Sequence, residues 1–595
     1  MSEPKEQHGQ NEQQGQNEQN GERKIGVFIC HCGGNISDYV DVETLRASIE
    51  KEPGVALART TMFACSDASQ QEMSEAIQKE GLDGIVIASC SPKLHLYTFR
   101  GMAERAGLNP YRYVQVNVRE QCSWAHRDDM AKATDKGASL VRAGIAKAAS
   151  SQSLENFRIE TLPSVLVIGA GVAGMRAAVA LADLGLAVHL VEKAGQTGGW
   201  TASMGPVYPQ NRPGSALTDA LLQEIRKRET ITLYTGAEVI ERSGSAGKFS
   251  VKVRLSSGET LTVAAGAVIV ATGFDAYAPA DGEFGYGLPG VITLPDFRRL
   301  LNESSGALKY NGRKVKTIAY IYCVGSRQAE DEAHAHCSRY CCTSTIQTAL
   351  LVNERDSSVN QYHLYRDMRS YGKYELLYEE ACRKGSVFVR WDPNEPPEIR
   401  NDRGRLMISA ADLLDGGERM EIPADLVVLV TGMVPRSGDT LVDTLKLPVG
   451  KSGFLNEIHP KLRPVETVIN GVFIAGAAQG PKTISESVAS SLAAVTKSAA
   501  LLIKGYVDLE PFVARVDASR CTGCKECLAA CPYESLQLTN LGERQVVEVV
   551  PSLCKGGGAC VPACPEGAID LVGYSDHEIT SMIDALAGER EVVHA

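Results

Sequence analysis

The feature that most constrains this fold is a glycine-rich turn at residues 165–174, where an apolar run stops and a helix-forming stretch begins. Gly169, Gly171 and Gly174 stand in G-x-G-x-x-G spacing. The first glycine allows a tight turn out of a strand, the second lets the backbone approach a pyrophosphate, and the third lets helix and strand pack closely. A second apolar run ends at Glu192, whose carboxylate can accept hydrogen bonds from a ribose. Together these parts predict a dinucleotide site at a helix N-terminus.

Two later apolar runs decide between FAD and NAD. Residues 268–273 and 471–476 both end in glycine, at Gly273 and Gly476. These patterns, with Gly199 and Trp200 after Glu192, resemble two-dinucleotide flavoproteins of the thioredoxin reductase type. The resemblance implies tightly bound, non-covalent FAD; the alternative is an α/β domain with glycine turns and no cofactor. The other residues expected at the flavin are Val172, Ala173, Lys193, Val239, Ala271, Thr272, Ala477, Gln479, Lys482 and Thr483.

Composition narrows the function classes. A chain of 595 residues holds about three or four domains. A net charge of −11 gives nucleic-acid binding no electrostatic support. The most apolar stretch, residues 164–191, carries charges and glycines and is not expected to span a membrane, and the N-terminus has no signal-peptide pattern. Seventeen cysteines in clustered spacings indicate metal ligation in a reducing cytoplasm.

The N-terminal part is expected to hold an iron–sulfur cluster. Residues 1–23 are polar and predict a disordered tail, whereas residues 24–150 predict a small α/β domain. Four candidate strands carry cysteines near their C-terminal ends, which share one crevice in a parallel sheet. The expected ligands are Cys65, Cys90, Cys122 and one of Cys30 and Cys32; the alternative is that these cysteines are simply buried.

A close family resemblance enters at this point. The motifs Cys30-His31-Cys32-Gly33, Cys90-Ser91-Pro92 and residues 119–124 (Arg-Glu-Gln-Cys-Ser-Trp) resemble the N-terminal domain of the heterodisulfide reductase A family. This flavin- and iron–sulfur-rich family comes from methanogens and anaerobic bacteria, and the resemblance runs from Lys24 to about Val572. Longer members carry an additional ferredoxin module inside the flavin domain, for which residues 200–231 leave no room here.

The middle of the chain predicts a Rossmann unit that has exchanged its nicotinamide site for a metal site. A strand at 315–322 runs into Cys323-Val324-Gly325-Ser326-Arg327, which has one glycine where a nucleotide fingerprint needs three. Cys323, Cys337, Cys341 and Cys342 supply four thiolates, enough for a cubane cluster, and their spacing also resembles the family's unusual cluster motif. The alternative is a cysteine-rich loop without metal. His334, His336 and Arg339 are expected near the site, not as ligands.

Lys482 is the candidate catalytic residue. It follows the last flavin strand in the segment Gln479-Gly480-Pro481-Lys482, which resembles the heterodisulfide reductase A family. A cation near the flavin ring would stabilise reduced, anionic flavin. The alternative is a surface lysine at the start of a helix, predicted at 484–502.

The C-terminal part carries a two-cluster ferredoxin signature. In such ferredoxins the fourth cysteine of each run binds the other cluster. The first site therefore takes Cys521, Cys524, Cys527 and Cys564, and the second has only Cys531, Cys554 and Cys560, because Gly557 stands where a cysteine is expected. The alternatives at the second site are a [3Fe–4S] cluster, a four-iron cluster with a non-cysteine ligand, or no cluster.

The sequence thus predicts an α/β, thioredoxin-reductase-like flavoprotein with an N-terminal α/β domain and a C-terminal ferredoxin-like α+β domain. The expected boundaries are 24–150 for the N-terminal domain, 160–290 and 425–505 for the split flavin domain, 291–424 for the insert, 511–573 for the ferredoxin domain, and 574–595 for a tail. FAD and about three or four [4Fe–4S] sites are expected.

The family resemblance implies an electron-transfer protein that performs flavin-based bifurcation with ferredoxin. The implied partners are heterodisulfide reductase B- and C-like subunits, an electron-input subunit linked to hydrogenase or NADH, ferredoxin and a second copy of this chain. A non-bifurcating conduit and an NAD(P)H-dependent flavin oxidoreductase are the alternatives.

Overall fold

The computed structural model describes residues 23–208, 211–304, 306–328, 334–436 and 440–587. The chain divides into two compact units, one formed by residues 1–158 together with 508–595 and the other by residues 159–507. Nearly all of the predicted N-terminal tail, residues 1–22, lies outside the described residues. Among the described helices, none is both long and apolar enough to cross a membrane.

The N-terminal domain is a four-stranded parallel sheet in the order β2-β1-β3-β4, as the sequence predicts. The two central strands are buried along their whole length, which explains their unbroken apolar sequence. The elements are β1 (Ile25–Cys30), α1 (Val42–Ile49), β2 (Val55–Thr61), α2 (Asp67–Glu80), β3 (Gly84–Ser89), α3 (Pro92–Arg105), β4 (Tyr113–Asn117) and α4 (Met130–Ser150).

The flavin domain is built on a five-stranded parallel sheet in the order β10-β7-β6-β14-β27, with a three-stranded antiparallel sheet beside it. A short strand, β5 (Phe157–Glu160), precedes it. Its first part contains β6 (Ser164–Ile168), α5 (Val172–Asp183), β7 (Ala187–Glu192), α6 (Gly199–Ser203), β8 (Pro206–Val207), β9 (Arg212–Pro213), α7 (Gly214–Arg226), β10 (Ile231–Thr235), β11 (Ala237–Ser245), β12 (Lys248–Leu255), β13 (Thr260–Ala265), β14 (Ala267–Val270) and β15 (Asp275–Ala276).

The inserted domain has its own five-stranded parallel sheet, in the order β16-β25-β19-β20-β21. Its elements are β16 (Val291–Thr293), α8 (Leu294–Glu303), β17 (Lys309–Tyr310), β18 (Arg313–Lys314), β19 (Thr317–Val324), α9 (Cys341–Arg355), β20 (Asn360–Tyr365), α10 (Glu375–Arg383), β21 (Val387–Arg390), β22 (Glu398–Asp402), β23 (Arg405–Ala411), β24 (Arg419–Ala424) and β25 (Leu426–Thr431).

The expected boundary at residue 425 is therefore wrong. Strand β25 pairs with β16 and β19 of the insert, so the flavin domain resumes after Thr431. Its second part contains β26 (Met433–Val434), α11 (Leu441–Leu445), β27 (Val472–Ile474) and α12 (Ile484–Leu502), and β28 (Tyr506–Leu509) follows.

The ferredoxin domain belongs to the same compact unit as the N-terminal domain. It contains β29 (Ala514–Val516), α13 (Glu526–Ala530), β30 (Leu536–Leu541), β31 (Arg544–Val549) and β32 (Ile569–Leu571). The segment expected to be a tail instead forms α14 (Asp576–Ala587), which packs against α4.

One lysine fastens the ferredoxin domain to the N-terminal domain. Lys147 Nζ on α4 donates to Gly573 O at 2.7 Å, lies 3.9 Å from the buried Glu578 carboxylate and sits 4.2 Å from the Tyr574 ring centre. The two ends of the chain therefore share one packed interface within this unit.

Candidate functional site

The glycine-rich turn has the geometry that a dinucleotide site needs. Gly169 has a φ of +102°, and a Cβ there would lie 2.5 Å from Ala271 O. A Cβ on Gly174 would lie 1.8 Å from Gly169 O, so helix and strand could not pack with any side chain at that position. A Cβ on Gly171 would meet nothing within 4 Å, which leaves its backbone open to a ligand.

Glu192 stands at the end of β7, beside this turn. Its Oε2 accepts a hydrogen bond from Ala170 N at 2.7 Å, and its Oε1 accepts one from Ala194 N at 2.9 Å. The carboxylate therefore organises the turn backbone and keeps lone pairs for a ribose.

A cavity of about 1230 Å³ opens from this turn. Such a volume exceeds the usual range for small-ligand sites, roughly 300–1,000 Å³, and suits an extended dinucleotide. The predicted residues that line it are Gly169, Gly171, Val172, Ala173, Glu192, Lys193, Gly199, Trp200, Val239, Ala271, Thr272, Gly273, Ala477, Lys482 and Thr483. Gly174, Gly476 and Gln479 are not part of its wall; they shape the backbone behind it.

An aromatic group forms one wall of the cavity. Trp200 stacks on Phe274 with ring centres 5.6 Å apart and donates its indole N–H to Phe274 O at 2.9 Å. Tyr340 lies next to Phe274, with ring centres 6.2 Å apart. Only Trp200 of these three was predicted from sequence, because Phe274 and Tyr340 carry no motif of their own.

Lys482 lies partly buried in the cavity wall. Burial lowers the pKa of its amine, and Glu457 and Glu486 partly offset that effect. Thr483 and Glu486 form a capping box at the start of α12 directly after it, which fixes the lysine backbone. The amine is thus placed to face a bound flavin, in agreement with its expected position.

The four cysteines of the inserted domain come together beside the cavity. Cys341 and Cys342 start α9 and are almost fully buried, and Cys323 lies at the end of β19 with a φ of +65°. Cys323 and Cys337 are electrostatic neighbours of this pair. Cys341 donates a hydrogen bond to Cys342, which raises the pKa of Cys341 and lowers that of Cys342 to about 7. Tyr340 and Thr343, on either side of the pair, line the cavity.

In the N-terminal domain the structure groups Cys30, Cys32, Cys65 and Cys90. Cys30 has Cys32 and Cys65 as electrostatic neighbours, and Cys90 has Cys30 and Cys32. The Cys30 sulfur accepts hydrogen bonds from Cys32 N and Ala64 N, both at 3.3 Å.

Cys122 does not join this group. Its thiol is fully buried and donates to Ala133 O on α4 at 2.8 Å. A single turn of π-helix at Arg119–Ser123 carries it toward that helix. The same turn instead brings Arg119 to the group, with Nη1 3.4 Å from the Cys32 sulfur, a contact that sequence reasoning missed.

In the ferredoxin domain the cysteines form the two sets that their interleaved spacing predicts. Cys527 has Cys521, Cys524 and Cys564 as electrostatic neighbours. Cys560 has Cys554 and Cys531 as its first two neighbours. Backbone N–H groups of residues 514, 547 and 568 approach the sulfurs of Cys554, Cys521 and Cys564 at 3.3–3.4 Å, the arrangement that stabilises cluster-bound thiolates.

None of these sets is a single-ion site. In the ranges that the structure describes, no three His, Cys, Asp or Glu side chains are gathered closely enough to hold one metal ion. Ligands of an iron–sulfur cube bind different iron atoms and stand farther apart, so these thiolate sets fit a cluster instead.

Two family descriptions match the chain. Residues 163–325 match a pyridine nucleotide-disulphide oxidoreductase family, and residues 514–571 match a 4Fe-4S dicluster domain. These matches confirm the thioredoxin-reductase-like fold class with its ferredoxin-like domain and show that the chain binds FAD and [4Fe–4S] clusters. The cavity at the glycine turn and the grouped thiolates fit both cofactors.

Solved structures with a similar fold include thioredoxin reductases. That of T. acidophilum is 20% identical, covers 57% of this chain and 98% of its own, and has a TM-score of 0.41. That of Lactococcus lactis is 18% identical, covers 57% of this chain and 99% of its own, and also has a TM-score of 0.41.

Curated relatives align along most of the chain, and all three described here are A-type subunits of CoB–CoM heterodisulfide reductases. The second iron-sulfur protein of this type in Methanopyrus kandleri is 36% identical over 605 residues, covering 87% of this chain and 91% of its own. That of the H(2):CoB-CoM heterodisulfide,ferredoxin reductase of Methanothermobacter marburgensis is 35% identical over 604 residues with the same coverage. That of the ferredoxin/F(420)H(2)-dependent CoB-CoM heterodisulfide reductase of Methanosarcina acetivorans is 34% identical over 602 residues, covering 87% and 75%. The chain is therefore an oxidoreductase that belongs to the heterodisulfide reductase A family.

Proposed function

We propose that this chain is the flavin-carrying component of a heterodisulfide reductase-like complex and performs flavin-based electron bifurcation, or its reverse, with ferredoxin. FAD exchanges two electrons, whereas iron–sulfur clusters pass electrons singly. The observation that supports this role most directly is the shared wall between the FAD cavity and the cysteines of the insert, formed by Tyr340 and Thr343 next to Cys341 and Cys342.

The relatives' printed names support the choice of partners. One relative is named for H(2), a CoB–CoM heterodisulfide and ferredoxin, and another for ferredoxin and F(420)H(2). For this chain we propose B- and C-like subunits, a hydrogenase- or NADH-linked input subunit, ferredoxin and a second copy of the chain, in a reducing cytoplasm. Purification of the native complex and identification of its components tests this set.

A specific observation favours a second candidate, a conduit that only relays electrons. The 605 aligned positions exceed the length of this chain although only 87% of the chain is covered, so the relatives contain residues that this chain lacks. An electron exit through such extra residues is therefore missing here.

A spectroelectrochemical titration of the flavin separates the two functions. A bifurcating flavin takes both electrons in one two-electron step, whereas a relay flavin accepts them in two separated one-electron steps. Two well-separated steps in the complete complex would favour the conduit and contradict bifurcation.

Lys482 is proposed to bias the flavin toward its reduced form. A buried ammonium in the cavity wall stabilises negative charge on a bound reduced flavin. Replacement by methionine keeps the packing and removes the charge, so the flavin potential is expected to fall. An unchanged potential in Lys482→Met, with FAD still bound, would show that the amine does not act on the ring.

The N-terminal cysteines are proposed to hold a [4Fe–4S] cluster on Cys30, Cys32, Cys65 and Cys90. The geometry here supports both Cys30 and Cys32, in place of Cys122. Cys30→Ala is expected to lose this cluster, whereas the matched variant Cys122→Ala keeps it, because Cys122 bonds only to the helix behind it. Iron and sulfide counts on the two purified variants decide the assignment, and equal loss in both would contradict it.

In the ferredoxin domain we propose a complete four-iron site on Cys521, Cys524, Cys527 and Cys564. The neighbouring site is proposed to have three thiolates, from Cys531, Cys554 and Cys560, with Gly557 at its open corner.

A further inference from the structure

The cysteines of the inserted domain are surrounded by arginines that no motif accounts for. Arg327 and Arg366 are the cationic neighbours of Cys323, and Arg327 and Arg369 are those of Cys342. The two assigned sites of the ferredoxin domain differ, because the charged neighbours of Cys527 and Cys560 are other cysteines.

Only one carboxylate balances this positive group within the described contacts. Asp367 accepts hydrogen bonds from Arg327 Nη2 at 2.6 Å and from Arg390 Nη2 at 3.0 Å. Its single charge is thus shared between two guanidinium groups. Arg366 Nη1 donates to the neutral carbonyl of Arg327 at 2.6 Å. The surroundings of the cysteines therefore carry a net positive charge.

Two nitrogens of these arginines lack acceptors in the described part of the chain. Arg327 Nη1 and Arg366 Nε are both buried and have no hydrogen-bond partner there. Burying an N–H group of a cation without an acceptor is costly, by about 1–3 kcal/mol or more for a charged group. Arg327 also holds an unfavourable φ of +60°. Such unsatisfied, constrained groups beside four sulfurs indicate that the missing acceptor belongs to the cluster.

The physical effect of this arrangement is on reduction potential. A four-thiolate cluster is negatively charged and becomes more so when it gains an electron, so nearby positive charge favours the reduced form. Hydrogen bonds to the sulfurs act in the same direction. Both effects raise the potential.

We propose that Arg327 and Arg366 hold the inserted-domain cluster at a higher reduction potential than the clusters of the ferredoxin domain. Arg327 is then a positioning residue for electrons: it touches the cluster ligands and sets the centre beside the flavin cavity as the place where an electron comes to rest. The inference rests on the proposed cluster at Cys323, Cys337, Cys341 and Cys342.

The test is a redox titration followed by EPR on the anaerobically reconstituted full chain. The signal of this cluster is assigned first, as the one that Cys341→Ala removes. In Arg327→Gln we expect its ratio of reduced to oxidised cluster at fixed potential to fall about tenfold, a shift of about 59 mV for one electron. Asp367→Asn removes the balancing carboxylate and is expected to shift the ratio the other way.

Two further variants keep the test decisive. Arg400→Gln is the matched control, because Arg400 pairs with Glu421 on an exposed hairpin and should leave every potential unchanged. Arg327→Lys preserves the charge and is expected to restore most of the potential if Arg327→Gln loses the cluster. Equal potentials in the wild type, Arg327→Gln and Asp367→Asn would overturn the inference while the cluster stands. Absence of any signal that depends on Cys341 would instead overturn the proposed cluster itself.

Discussion

Replacing Gly557 with cysteine should convert the second ferredoxin site into a complete four-iron centre. A Cβ at this position would meet only Tyr533 Cε2, at an ordinary 3.6 Å. Gly557 is not among the residues with positive φ, unlike Gly556 at +63° and Gly558 at +71°. The backbone can therefore accept a side chain, and the change in unfolding free energy should stay within about 1 kcal/mol.

The added thiolate also changes the potential of that site. One extra negative charge about 5 Å from the cluster, at an effective dielectric constant of about 20, destabilises the reduced form by about 3 kcal/mol, or roughly 140 mV for one electron. The Gly557→Cys cluster should therefore reduce at a lower potential than any four-iron cluster that the wild-type site holds.

The assay is EPR of the oxidised full chain, because Lys147 and α14 fasten the ferredoxin domain to the N-terminal domain. An oxidised [3Fe–4S] cluster is paramagnetic, whereas an oxidised [4Fe–4S] cluster of the ferredoxin type is silent. The three-iron signal should appear in the wild type, persist in Gly557→Ala, which adds a Cβ without a ligand, and disappear in Gly557→Cys. Identical spectra from all three proteins would refute the reasoning.

Four other predictions follow from the same structure. Glu192→Ala should weaken FAD binding by roughly 1–3 kcal/mol, measured by flavin titration, and unchanged affinity would remove the carboxylate from the site. Gly174→Ala should lower thermal stability and FAD content together, because its Cβ would lie 1.8 Å from Gly169 O; normal melting would show that the turn can relax. The isolated, FAD-loaded chain should not be reduced rapidly by NADH or NADPH in stopped flow, and fast bleaching would contradict this. Burial lowers the pKa of His363 from 6.5 to about 3, so the unfolding free energy should fall as the pH falls from 6.5 towards 3, by up to about 1.4 kcal/mol per unit, because only the unfolded chain takes up the proton; urea unfolding at pH 7 and 5 should show a smaller difference in His363→Phe, and an equal difference would contradict it.

The parts that sequence predicted well are those with local physical causes. Each glycine of the turn answers a steric demand within a few residues, and helix α12 has the predicted limits because Thr483 and Glu486 cap its start. The alternation of apolar strand and helix likewise predicted both Rossmann-type sheets. These features depend on neighbours in the chain, so their residues are sufficient to reveal them.

The parts that sequence did not predict depend on contacts between distant residues. Strand β25 is a fully buried apolar run, and nothing in its own sequence shows which of two sheets it joins. Cys122 follows a strand as Cys90 does, but a π-turn directs its thiol to α4. Helix α14 buries Glu578 against Lys147, so its packing face carries no apolar stripe by which it could be recognised.

The contact between α4 and α14 also has a consequence for biosynthesis. About 350 residues of the other compact unit separate the two parts of this one. At roughly 5–20 residues per second, the ribosome needs about 20–70 s to make them. During that interval the N-terminal domain is already outside the ribosome while the surface that α14 will cover stays bare. Assembly factors that load iron and sulfide can therefore reach Cys30, Cys32, Cys65 and Cys90 well before the ferredoxin cysteines exist, and the closing of α14 over α4 would mark the end of maturation.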